Sequence, residues 1–215
     1  MIRGTVRGGT GMTRRTRPFV VPLLSLAVFL GLSAAGGPGA GAAGQSPPAA
    51  AEGEARASAA MQALQGALIG RLREEMGRGG PTAAITVCRD EAQAITARVA
   101  REQGIAMGRT SHRLRNPANA PRPWMNDAVA ASEGKRAADA QPVTVDLGDR
   151  VGVMRPIGTI EMCTACHGPA REVKARLGDA LARAYPDDRA TGFAVGDLRG
   201  WMWAEVPKDL VSRRP

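Results

Sequence analysis

The pentapeptide Cys163-Thr164-Ala165-Cys166-His167 constrains this chain more than any other segment. Two thiols three residues apart share one face of a helical turn, and an imidazole four residues after the first thiol falls on the same side. That is the spacing of c-type haem attachment: both thiols form thioethers with the vinyl groups of one porphyrin, and the histidine reaches the iron. One motif means one haem, and the domain has to close around a large, flat, apolar body. Other uses of two such cysteines fit less well. A thioredoxin-like pair follows a strand in a βαβ unit, and no such alternation is visible. A zinc site needs further ligands, and only Cys88 and His112 remain. A disulfide between Cys163 and Cys166 would close an unfavourably small loop.

Composition agrees once the charge is placed. The 215 residues carry a formal charge of +9, with 29 Lys and Arg against 20 Asp and Glu, which taken alone suggests a nucleic-acid partner. Five of those charges, Arg3, Arg7, Arg14, Arg15 and Arg17, lie in residues 1–42, where no acidic residue occurs. The remainder is only mildly basic, so nucleic acid is not an expected partner. Hydrophobic residues at 44% and charged ones at 23% exclude a disordered or fibrous chain, and three cysteines exclude a disulfide scaffold. Aromatics make up only 3%, a deficit that a buried porphyrin would offset in the core.

Residues 1–42 read as a secretory signal: Arg14, Arg15 and Arg17, an apolar run from Phe19 to about Leu32, then small residues ending in Ala40-Gly41-Ala42. Met12 offers an alternative start. The apolar run, interrupted by Pro22 and Ser25, falls short of the roughly 20 residues of a comfortable span, so cleavage and a periplasmic location are expected, with an uncleaved membrane anchor as the alternative. Residues 43–60, nearly all Gly, Ala, Pro and Ser, are expected to form a flexible linker. The haem domain is then residues 61–215.

Within it, Met61, Leu64, Leu68, Leu72 and Met76 predict a first helix that stops at Gly77, Gly79, Gly80 and Pro81. A second helix runs from about Thr82 to Gln103, capped by Gly104. Its residues Ile85, Cys88, Ala92, Ile95 and Val99 fall within an arc of roughly 80°, which points Cys88 inward. A short strand over 105–111, an irregular Pro-rich loop, and a short helix from Pro123 to about Ser132 follow. Next come a hairpin over 141–154, a helix from Ala170 to Tyr185, a Gly-rich loop, and a last strand containing Trp201 and Trp203. The order gives an α+β fold.

For the second axial position three side chains compete. Cys88 is the odd cysteine of an exported chain, and a thiolate beside ferric iron is stabilised by the metal charge. His112 would give bis-His ligation. Met202, well downstream of His167, would give the thioether of ordinary small cytochromes c.

Four segments carry a family resemblance. They are Ala84-Ile85-Thr86-Val87-Cys88; Arg115-Asn116-Pro117 with Asn119, Pro121 and Trp124; Pro156-Ile157 ahead of Cys163 to Gly168; and Ala190-Thr191-Gly192-Phe193 with Gly196 to Gly200. Together they resemble the PAS-like, single-haem c-type domains of exported haem proteins and of the sensing regions of membrane histidine kinases. The resemblance covers about Ala60 to Val206. It implies a PAS-like domain with N-terminal helices and a small antiparallel sheet, and an iron held by His167 and the thiolate of Cys88. The family usually has an acidic residue after the tryptophan, whereas Met125 follows Trp124 here. Arg115 and Arg199, within the family-like segments, are the expected partners of the haem propionates.

The expected function is that of a sensor of redox state or of a ligand, a diatomic one included, or of an electron-transfer protein working with a redox partner or a membrane sensor. The alternative is a peroxidase-like haem enzyme, which needs an open or displaceable iron site and in which only His112 is left as an imidazole catalyst.

Overall fold

A run of alanines is a strong helix former, and seven of the thirteen residues from Pro48 to Ala60 are alanine. In the structure, a computed structural model that describes residues 48–212, this segment is helical. The linker expected over 43–60 is therefore corrected over 48–60, residues 43–47 lying outside the described residues: helix α1 is Pro48–Thr86, and Ala57 and Ala60 are fully buried. Small size, which argued against a core, is what permits this contact. A Cβ on Gly53 would lie 3.0 Å from Val151, so the helix backbone rests almost directly on a strand. The expected signal segment, residues 1–42, lies outside the described residues. Among the described residues no helix is long and apolar enough to cross a membrane.

The glycine cluster breaks α1 where the sequence places the stop: Gly79 leaves helical geometry, and Gly80 takes φ +66° before Pro81 restarts the helix. The second arm passes through a π-turn (Val87–Glu91) into α2 (Ala92–Gln103), which Gly104 closes in a left-handed cap. Then come β1 (Ala106–Thr110), single turns at Pro117–Asn119 and Pro123–Met125, and α3 (Asn126–Ala130). The hairpin β2 (Val143–Asp146) and β3 (Arg150–Gly158) precedes α4 (Glu161–His167) and α5 (Ala170–Ala184). The chain ends in β4 (Leu198–Pro207) and α6 (Lys208–Ser212).

The strands form one antiparallel sheet in the order β1-β4-β3-β2, so the last strand lies in its middle. Alternation gives the sheet two faces. Met107, Val151, Val153, Met202, Ala204 and Val206 pack against Ala57, Ala60, Met61 and Leu64 of α1. Burying a side chain such as Leu64 contributes about 1.5–3 kcal/mol. Met154, Trp201 and half-buried Trp203 face Met125, Val129 and Ala140. Gly108 is needed here, since a Cβ would meet the Trp203 ring at 2.8 Å. Met125 is fully buried, and the carboxylate that meets the Trp124 indole comes instead from β4: Trp124 Nε1 donates to Glu205 at 2.8 Å. A third cluster sets Ile85 against Val173, Leu177, Leu181 and Tyr185. Mixed helices and an antiparallel sheet make the fold α+β.

Candidate cofactor site

The short helix α4 carries the whole Cys163 to His167 motif. Its end is fixed by the 190–193 loop, where the Gly192 N–H donates to the Gly168 carbonyl at 2.7 Å and the Phe193 N–H to the His167 carbonyl at 2.9 Å. The imidazole is tied to the same loop: His167 Nδ1 lies 2.7 Å from the Ala190 carbonyl oxygen. A carbonyl can only accept, so Nδ1 carries the proton and Nε2 keeps a free lone pair. Burial holds the ring well below the usual histidine range, helped by Arg199 and Arg115, so it stays neutral and ready to bind a metal.

Cys88, Cys163, Cys166 and His167 all line one cavity of about 300 Å³, within the range of small-molecule and cofactor sites. Leu68, Ile69, Leu72 and Met76 of α1, Ile157 of β3, and the N-cap residue Ile160 and Met162 of α4 supply apolar walls. Cys88 reaches it from the π-turn, whose extra residue shifts the phase of the helix. Beyond the turn the buried positions are Ala92, Thr96 and Val99, while Ile95 is only half-buried. Such insertions are frequent at functional sites. Arg71 of α1 braces the turn through two hydrogen bonds to Glu91, at 2.7 and 2.9 Å. Burial pushes the Cys88 thiol up, and Arg109, Arg115 and Arg199 pull it back.

The other candidates separate clearly. Met202 lines the cavity from β4. His112 is not among the lining residues; its ring meets Phe193 edge-on at 5.7 Å, and its Nδ1 is enclosed without a partner. Arg199 lines the cavity, and burial lowers its pKa to about 10. Arg115 also lies at the cavity, but its guanidinium is committed to the chain itself. It donates to Asp188 at 3.1 and 3.0 Å and to the Cys166 carbonyl at 2.7 Å. It braces the motif helix, which differs from the propionate contact expected of it. Arg109, on β1, lines the cavity without belonging to any motif; only its alternation with Met107 on the strand hinted at an inward position.

The family model described as Tll0287-like (Tll0287) matches residues 45–207, and so covers all four family-like segments. The chain belongs to the Tll0287-like family. A solved structure, that of the cyanobacterial heme-protein Tll0287, superimposes with a TM-score of 0.54 at 28% sequence identity. The match covers 70% of this chain and 91% of that one. No curated protein sequence matches. The resemblance expected from the sequence is thus borne out as membership of the Tll0287-like family.

A haem fits the residues present. Three thiols and a neutral imidazole with a free Nε2 converge on an apolar cavity, and the buried Thr110 hydroxyl on its wall has no partner among the described residues. Among the described residues no group of three or more His, Cys, Asp or Glu side chains is arranged to hold a bare metal ion, so the donor set suits an iron that brings its own equatorial nitrogens.

Proposed function

We propose that this member of the Tll0287-like family is an exported haem protein with a single c-type haem, held covalently by Cys163 and Cys166 and ligated by His167 and Cys88. The observation that carries this reading is the convergence of those four side chains on one apolar cavity, with the His167 tautomer fixed by Ala190. The heme-protein title of the structural relative supports haem binding here. When bound, the haem would supply one-electron chemistry between ferric and ferrous iron.

The protein's own residues would do the rest. Cys163 and Cys166 anchor the ring, and the 190–193 loop holds His167 in the orientation and tautomer a metal needs. Cys88 would supply a sulfur whose anionic form favours the ferric state, and so a low potential. That behaviour suits a redox or ligand sensor, or an electron carrier with an acidic partner. His112 is not among the residues that line the cavity, which favours the sensor or carrier reading over a peroxidase-like one that would use that imidazole. Export to the periplasm rests on residues 1–42.

Co-expression with a c-type maturation system tests the attachment. The intact mass should exceed that of the apoprotein by one haem, with the haem resisting acid–acetone extraction. Cys163→Ala/Cys166→Ala should lose it to extraction. A wild-type protein without covalent haem would overturn the reading.

A further inference from the structure

The cavity wall holds four arginines, Arg109, Arg113, Arg115 and Arg199, and no aspartate or glutamate. Enclosing a guanidinium costs several kcal/mol unless an anion meets it. Two of the four are accounted for within the chain. Arg113 reaches the Thr191 carbonyl at 3.2 Å and Glu133 at 3.5 Å, towards the surface. Arg115 is neutralised by both carboxylate oxygens of Asp188.

The other two are not. Arg199 hydrogen-bonds to neutral groups only, the Ser111 hydroxyl at 3.0 Å and the Arg113 carbonyl at 3.5 Å; its guanidinium lies 5.1 Å from the Phe193 ring centre, and Asp188, a carboxylate that acts on it, is already held by Arg115. Arg109, half-buried on β1 and lining the cavity, makes no hydrogen bond or ion pair with any described residue. No aspartate or glutamate lines the cavity to meet it. Two positive charges, one from β1 and one from β4, thus face one apolar space.

We propose that Arg109 and Arg199 are the carboxylate anchors of this cavity, selecting an occupant that is flat, apolar and dianionic, as a haem with its two propionates is. The proposal rests on the haem reading and deepens it. It adds Arg109, and it assigns Arg115 elsewhere, since with Asp188 that residue positions the motif helix and leaves the ring carboxylates to the two uncompensated cations. A guanidinium suits the role because its parallel donors match a carboxylate. Lining the low-dielectric wall, the pair also excludes rings whose carboxylates are esterified or absent.

Resonance Raman spectra of the full-length ferric haem-loaded protein test this, because the propionate-bending bands respond to hydrogen bonding at the carboxylates. Arg109→Met and Arg199→Met should each shift a propionate-bending band, and Arg109→Lys, which keeps the charge, should move it less. Where a Met variant does not accumulate, Arg109→Gln or Arg199→Gln, which keeps donors without charge, gives the same readout. Unmoved bands in the Arg109 and Arg199 variants overturn the proposal. So does an Arg109 variant that moves the iron–sulfur stretch and leaves the propionate bands in place, since that makes Arg109 a partner of Cys88. A wild type that carries no haem overturns the underlying reading instead, so the two failures are distinguishable.

Discussion

His167 and Ala190 are joined by a 2.7 Å contact between the imidazole Nδ1 and the backbone carbonyl oxygen, and that contact sets which nitrogen of His167 can bind a metal. Its stiffness comes from Asp188, two residues before Ala190. The Ala190 N–H donates to Asp188 at 2.8 Å, and Asp188 also holds Arg115, which in turn donates to the Cys166 carbonyl. A closed chain of bonds runs from the imidazole through the loop and back to the motif helix.

Removing Asp188 breaks that chain and leaves Arg115, whose side chain is 8% exposed, enclosed without its anion. Asp188→Ala should destabilise the protein by about 3 kcal/mol in urea unfolding, the range for one partner lost from a buried pair. Asp188→Asn should cost less, because its amide oxygen can still accept from the Ala190 N–H.

Gly168 ends α4, and a Cβ there would lie 2.5 Å from the Thr164 carbonyl oxygen, inside the turn that the Gly168 N–H closes at 2.9 Å. Gly168→Ala must open that turn and move His167. The expected loss is about 1–3 kcal/mol of stability, the usual cost of forcing bulk into a packed site. A lower yield of covalent haem, read from the absorbance ratio of haem to protein, should accompany it.

Much of this was legible in the sequence because local rules decide it. Gly79-Gly80-Pro81 breaks the first helix, Gly104 caps the second, and the alternation around Gly148 makes the hairpin. The spacing of Cys163, Cys166 and His167 is likewise local, so these candidates could be read without the fold. What stayed hidden depends on partners distant in sequence. Ala57 and Ala60 become core only because β3 and β4 lie beneath them, and Arg115 turns to Asp188 across 73 residues. The π-turn at Val87–Glu91 has no compositional signal, so a regular helix was the natural expectation, although Cys88 reaches the cavity either way. Arg109 on a short strand gives no sign of the cavity beyond the face it shares with Met107.

His112 gives the protein a pH dependence of known sign. Burial, with Arg113 beside it, holds its pKa below the usual 6.5, so the unfolded chain binds a proton that the folded one refuses. Stability is therefore full above that value and falls as the pH drops below it. The lowered carboxylates Glu75, Asp90 and Asp146 add their losses only below their ordinary 4.5 and 3.8. In the haem-loaded protein, where an iron bound to His167 would withdraw it from titration, the urea midpoint should fall between about pH 7.5 and about pH 5.5, and His112→Gln should flatten that fall.

Whether Cys88 and His167 hold one iron from opposite sides is tested most directly by electron paramagnetic resonance and absorption of the ferric protein. The wild type should give a six-coordinate low-spin signal of thiolate character. Cys88→Ala should lose it, while His112→Ala and Met202→Ala keep it. A high-spin five-coordinate wild type, or a low-spin signal that survives Cys88→Ala and vanishes in Met202→Ala, would contradict the account.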